Sequence, residues 1–278
     1  MRTRAYRQID VFTDEAYRGN ALAVVIDAAD LDATRMQQFA RWTNLSETCF
    51  LLPATDPAAD YQVRIFTPSS ELPFAGHPSL GSCHVWLGQG GVPRQPGRIV
   101  QQCPLGLVVL RPEGAGLAFC APPMQHAPAQ PRLLETVLAA LGLPSTAVRA
   151  AQWLQNGPRW LGLLVDDAET VLSLEPDHGR LRTLANVGLI GPYTAGGPAD
   201  FEVRAFADPE NIPEDPVTGS LNAALGQWLI PEGLLPPRYR VSQGTRLQRA
   251  GRLTVSAQDG DVWVSGSSIT CIAGTVVI

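Results

Sequence analysis

The chain has 278 residues, of which 45% are hydrophobic and 17% charged, with a formal net charge of −5. That balance describes a globular protein with room for two medium-sized domains and excludes a disordered chain. It offers no basic surface for nucleic acid or for an anionic membrane, no run approaches a membrane span, and Met1–Arg7 enters a strand with no apolar segment before it, so a soluble cytoplasmic protein is expected.

All 21 lysine-plus-arginine positions are arginine. Without lysine there is no Schiff base to pyridoxal phosphate or to a carbonyl substrate, and no phosphate-binding P-loop. The five cysteines (Cys49, Cys83, Cys103, Cys120 and Cys271) are scattered and form no C-x-x-C, which points to reduced thiols beside apolar runs. His77, His84, His126 and His178 show no metal-ligand spacing. No G-x-G-x-x-G follows a strand and no G-x-S-x-G is present.

In chain order, alternation predicts strands over Tyr6–Phe12 and Ala21–Ile26, joined through Gly19-Asn20. A helix follows over Leu31–Trp42, then the polar turn Asn44–Thr48 and a short strand over Cys49–Leu52. Tyr61–Phe66 is a strand, and a helix is expected over Ser79–Gly88. Ile99–Cys103, Leu105–Leu110 and Leu117–Cys120 form a meander. The Pro-rich stretch Ala121–Pro131 is the linker candidate. An amphipathic helix over Leu133–Leu143 opens the second half and corresponds loosely to Leu31–Trp42. Strands are expected over Val148–Leu154, Pro158–Val165, Asn186–Leu189 and Phe201–Phe206. A loop and helix fill 213–230, and strands over Tyr239–Ser242, Arg252–Val255, Val262–Ser265 and Ile269–Ile278 finish the chain.

The stretch Glu71–Gly81 (ELPFAGHPSLG) sits where a strand stops and a helix begins. Such a junction leaves backbone N–H groups unpaired and carries the positive end of the helix dipole, a place for a carboxylate or phosphate. About half a chain later the pattern returns. Arg64 and Phe66 match Arg204 and Phe206, Pro73 matches Pro213, Ser79-Leu80 matches Ser220-Leu221, and Trp86-Leu87 matches Trp228-Leu229. We read this as a duplicated strand–loop–helix unit. The expected class is α+β: two similar domains, residues 1–125 with 266–278 and residues 126–265, each a curled, mostly antiparallel sheet around a central helix. A small anion held between two helix N-termini is the simplest reading.

Four groups in these turns carry chemistry. Glu47 at a strand mouth reads either as a solvated turn residue or as a shielded carboxyl able to take and return a proton. His77, between Gly76 and Pro78, reads either as a turn histidine satisfied by backbone or as a neutral donor to a substrate oxygen. Asp215 reads as an N-cap with Pro216 at the first helical position, as a site residue, or as both. Thr218, Gly219 and Ser220 offer hydroxyls and bare backbone N–H groups to an anion, and acidic Asp215 beside them favours a zwitterion over a dianion.

The chain resembles the PhzF-like family, named for the phenazine biosynthesis isomerase, within the diaminopimelate-epimerase fold. The matching pieces run in order: Gln8–Phe12 (QIDVF), Gly19–Val25 (GNALAVV), Asn44–Thr48 (NLSET), Phe66-Thr-Pro68, Glu71–Ser79 (ELPFAGHPS), Glu214–Ser220 (EDPVTGS) and Ser242-Gln-Gly244. The resemblance implies a cofactor-independent homodimer with its active site in a cleft between the two domains. It implies that Glu47 shuttles a proton, that His77 and Asp215 line the substrate site, and that Ser46, Gly76, Gly219 and Ser220 contact substrate. An anthranilate-type substrate carries an amine and a carboxylate, in keeping with the mixed polarity above. Related epimerases use a cysteine from each loop; Ala75–Pro78 and Asp215–Thr218 hold none, which excludes a two-thiol mechanism. The run Thr245–Gly251 departs from the Gly-Arg-Pro or Gly-Arg-Ser often found there. The function expected is an isomerase moving a proton on a small anionic or zwitterionic metabolite, with no metal. A non-catalytic metabolite binder or a lyase using the same proton abstraction are the alternatives.

Overall fold

A computed structural model describes all residues from Met1 to Ile278. The first strands and helices are β1 (Thr3–Val11), β2 (Asn20–Val25), α1 (Ala33–Thr43), β3 (Glu47–Leu52), β4 (Tyr61–Phe66), β5 (Glu71–Leu72) and α2 (Gly76–Gly88). Next come β6 (Ile99–Cys103), β7 (Gly106–Glu113), β8 (Gly116–Cys120), β9 (Gln125–Pro128), α3 (Pro131–Leu141), β10 (Val148–Gln155) and β11 (Arg159–Val165). The remainder is α4 (Ala168–Ser173), α5 (His178–Leu181), β12 (Asn186–Pro192), β13 (Phe201–Phe206), α6 (Gly219–Leu229), β14 (Arg238–Gln243), β15 (Gly251–Gln258), β16 (Asp261–Gly266) and β17 (Ser268–Val277). The class is α+β. None of the helices is long and apolar enough to cross a membrane.

The chain divides into two compact units, Met1–Cys120 with Ser265–Ile278, and Ala121–Val264. In the first, β17, β1 and β2 pair antiparallel, β2 runs parallel to β3, β3 antiparallel to β4, β4 parallel to β6, and β6 antiparallel to β7. The second repeats that succession: β9, β10 and β11 antiparallel, β11 parallel to β12, β12 antiparallel to β13, β13 parallel to β14, β14 antiparallel to β15. Parallel neighbours need a crossover connection. In both units the second crossover is the long central helix, α2 or α6.

These two helices are buried nearly all round: α2 from Gly76 to Cys83 and α6 from Gly219 to Gly226. A helix surrounded by its sheet has no room for a polar face. Their small residues let strands approach closely. A Cβ on Gly81 would sit 2.6 Å from Ile9 Cδ1 and from Leu22 Cδ2. The apolar content of the second unit gathers along Val137, Leu161, Leu163, Val187, Leu189 and Phe206.

Three expectations are corrected. Residues 125–128, inside the stretch read as a linker, form β9 on the edge of β10. An edge strand tolerates proline because only one side of its backbone is paired. Helix α3 is not the counterpart of α1: α1 connects β2 to β3, whereas α3 precedes β10 and the matching β11-to-β12 connection is α4 and α5. Asp215 does not cap α6; the N-cap is Thr218.

Candidate active site

Glu47 is the first residue of β3, paired in register with Leu22. Ser46 precedes it in the bend that leads in from α1. His77 lies inside the first turn of α2, whose N-cap, Ala75, has extended backbone and no side-chain cap. Gly76 and His77 therefore bring backbone N–H groups with no acceptor inside the helix, and Pro78 brings none. The turn is held by Ser79, whose amide and hydroxyl both donate to Ala75 O, at 3.2 and 2.9 Å. Gln101 Nε2 donates to Ser79 Oγ at 2.9 Å and Gln101 Oε1 accepts from Tyr61 at 2.9 Å, so β4 and β6 fix the start of the helix.

This brings His77 Nε2 to 3.3 Å from Glu47 Oε2, with the two side chains 5% and 14% exposed. Burial pushes the His77 imidazole down to about 3, so at neutral pH it is uncharged and the contact is not an ion pair. On the other ring nitrogen, Nδ1 lies 3.4 Å from Asn20 Nδ2. An amide N–H directed at Nδ1 makes it the acceptor and leaves the ring proton on Nε2, the nitrogen facing Glu47.

A neutral buried histidine links stability to pH. Between about 6.5, where the unfolded chain takes up the proton, and about 3, where the folded chain does, the unfolded state binds more protons. Stability therefore falls as pH drops through that window, by up to about 1.4 kcal/mol per pH unit for one proton. His77→Gln removes this dependence. Denaturation from pH 7 to pH 4 is expected to show wild type losing ground to the variant; parallel curves would contradict a neutral His77.

In the second unit, Asp215 and Thr218 come together just before α6. Thr218 Oγ1 donates to Asp215 Oδ2 at 2.6 Å. Thr218 is the N-cap, Gly219 and Ser220 are the first helical residues, and no side chain caps the helix. Behind the loop, Gln243 accepts from the Thr218 amide at 3.0 Å, and Asn156 Nδ2 donates to Ser220 O at 3.0 Å. The candidate residues thus form two groups: Ser46, Glu47, Gly76 and His77 in the first unit, and Asp215, Thr218, Gly219 and Ser220 in the second.

Both units also carry an ion pair that sequence reasoning missed. Arg64 Nε and Nη2 donate to Glu71 at 2.7 and 2.6 Å, and Arg204 Nε and Nη2 donate to Glu214 at 3.0 and 2.8 Å. Each guanidinium lies over a phenylalanine two residues on, Phe66 or Phe206. The matched Arg-x-Phe was visible; the acidic partners, at unequal loop spacings, were not. Asn20, Gln101 and Gln243 were also missed as fixing groups; Asn20 and Gln243 stood within the matched pieces Gly19–Val25 and Ser242–Gly244, and nothing in the pattern set Gln101 apart. The cysteines form no disulfide, and burial drives Cys83 up to about 12. No three His, Cys, Asp or Glu side chains gather as a metal-binding group.

Comparison with known proteins agrees across the whole chain. The family model described as "Phenazine biosynthesis-like protein" matches residues 9–274. The trans-2,3-dihydro-3-hydroxyanthranilate isomerase of Pseudomonas aeruginosa is 31% identical over 277 residues, covering 95% of this chain and 94% of that protein. "Antisense-enhancing sequence 1" of Schizosaccharomyces pombe is 36% identical, covering 99% of each. Among solved structures, a predicted epimerase of Pseudomonas aeruginosa superposes with a TM-score of 0.80 at 30% identity, covering 99% of each chain. A hydroxyproline epimerase of Agrobacterium vitis shares the fold alone, with a TM-score of 0.64 at 15% identity, covering 99% of this chain and 92% of that one. With a family match spanning nearly its full length and the same succession of strands and crossover helices built twice, the chain belongs to the phenazine biosynthesis-like family.

Proposed function

We propose that this isomerase moves a proton within a small metabolite bearing a carboxylate and an amine, with Glu47 as the general acid and base. The observation that carries the reading is the Glu47–His77 contact at 3.3 Å. A histidine that stays neutral until about pH 3 cannot take the proton from Glu47. Its Nε2 faces the carboxylate at 3.3 Å, outside hydrogen-bond geometry, and the ring dipole can steady the charge without quenching it. Glu47 can then accept a proton from a substrate C–H and return a proton to another carbon, so that no electron or atom is gained or lost overall.

In this reading His77 and Asp215 orient the substrate. The helix starts at Gly76–His77 and Gly219–Ser220, with Ser46 and Thr218, hold its polar groups. The amine falls to Asp215, the carboxylate to the backbone N–H groups. The family resemblance supports a cytoplasmic homodimer working without a cofactor. The substrate named for the Pseudomonas aeruginosa relative, trans-2,3-dihydro-3-hydroxyanthranilate, combines these groups. Supplying it to the purified protein and following its ring protons by NMR tests the reading. Migration of the double bonds with unchanged mass is expected. Loss of water or ammonia would make the enzyme a lyase, and an unaltered spectrum would remove this substrate.

A further inference from the structure

Gln243 closes β14, and its side chain is fully buried. A primary carboxamide has two N–H donors and two acceptor sites on oxygen. Here all are used, on the loop Asp215–Thr218 and on Asn222 in the first turns of α6. Oε1 accepts from the Thr218 amide at 3.0 Å and from Asn222 Nδ2 at 2.9 Å. Nε2 donates to Thr218 Oγ1 at 2.9 Å and to the Asp215 carbonyl at 3.2 Å.

The polarity of this set has a consequence at the loop. Because Gln243 Nε2 donates to Thr218 Oγ1, that oxygen is an acceptor there and its own hydrogen is directed to the Asp215 carboxylate, at 2.6 Å. The relay runs one way, from amide to hydroxyl to carboxylate, and fixes which way the Asp215 side chain turns. The carboxamide oxygen also occupies the Thr218 N–H, so the helix start presents the Gly219 and Ser220 amides, not the Thr218 amide, to an anion. The next residue secures the same contact from the backbone. Gly244 has φ +88, and a Cβ there would lie 2.6 Å from Pro216 O, so only glycine lets β14 press against this loop. The first unit has a parallel arrangement. Buried Gln101, on the strand parallel to β4, reaches Ser79 at the start of α2.

We propose that Gln243 is a positioning residue for the substrate site: it sets the Asp215 carboxylate through Thr218 and selects which amides of α6 meet the substrate anion. This rests on the reading of Asp215 and Gly219–Ser220 as substrate contacts given above.

The test uses the full-length protein and two probes, anthranilate for equilibrium binding by calorimetry and trans-2,3-dihydro-3-hydroxyanthranilate for turnover. Gln243→Met keeps the volume and drops every hydrogen bond. It is expected to weaken anthranilate binding and raise KM about tenfold, with kcat changed far less, since the proton-transfer group is untouched. In a Thr218→Val background the relay is already cut, and Gln243→Met should then add little. Wild-type KM and anthranilate affinity in Gln243→Met, or an undiminished loss on Thr218→Val, would overturn the proposal. Should Gln243→Met fail to fold, Gln243→Glu, which keeps the acceptor oxygens and loses the donors, is read by the same criteria. If the wild-type protein neither binds anthranilate nor converts the dihydro acid, the substrate reading falls by itself. The positioning claim is then decided by hydrogen exchange at the Thr218 amide. Exchange about tenfold faster in the variant supports it, and unchanged exchange ends it.

Discussion

Replacing Glu47 by glutamine is expected to lower kcat by about 10²–10⁴-fold, the usual worth of a positioned acid–base group, while anthranilate affinity shifts only slightly. Glutamine preserves the shape of the side chain and its ability to meet His77 Nε2, now 3.3 Å from the carboxylate. What it removes is the exchangeable proton site. His77 cannot substitute, because burial holds it neutral down to about pH 3. His77→Gln should therefore leave a slower but working enzyme, with KM affected as much as kcat. For the same reason the pH–rate profile between pH 5 and pH 9 should show no step that disappears in His77→Gln. Steady-state kinetics of the two variants, with binding measured separately, distinguishes these roles. Comparable losses of kcat in both would mean that proton transfer needs the imidazole itself.

The largest stability effect is expected at Glu214. Its carboxylate and the Arg204 guanidinium are 8% and 5% exposed, and Arg204 Nη1 also donates to Val171 O and Leu174 O at 3.2 and 2.8 Å. Glu214→Leu leaves a buried guanidinium with no counter-charge, at a cost of about 3–5 kcal/mol. The corresponding Arg64–Glu71 pair has side chains 23% and 29% exposed, and water can replace the lost partner. Glu71→Leu should cost about 1 kcal/mol or less. Combining Glu214→Leu with Arg204→Met should recover most of the loss, because the pair's net contribution over an apolar pair is small. Urea denaturation of the three variants checks this ordering. Equal losses at Glu71 and Glu214 would contradict the role assigned to burial.

Much of the fold was legible because the sequence alternates cleanly where strands pack a helix on one face. The boundaries predicted for Tyr61–Phe66, Ile99–Cys103 and Phe201–Phe206 are those observed. Helix α2 begins at Gly76 rather than Ser79 because proline in a first turn gives up an N–H that has no acceptor there. That difference moves His77 from a preceding turn into the helix. Glu47 likewise belongs to β3 itself rather than to the turn before it. The edge strand β9 was hidden by Pro128 and the prolines that flank it, and α3 was set against the wrong helix because amphipathic periodicity reports a face, not a connection. The motif residues were readable one by one. The partners that orient them were not: Asn20, Gln101 and Gln243 lie distant in sequence, and their hydrogen bonds exist only once strands from separate parts of the chain are side by side.

The central claim concerns a single proton moved by one carboxyl group. Purified wild type and Glu47→Gln are incubated in D2O with trans-2,3-dihydro-3-hydroxyanthranilate, and label in recovered material is read by mass spectrometry. Wild type is expected to install deuterium on carbon as Glu47 exchanges with solvent between accepting and returning the proton, and Glu47→Gln to leave the carbon skeleton unlabelled. Label entering at the same rate with both proteins would contradict the account.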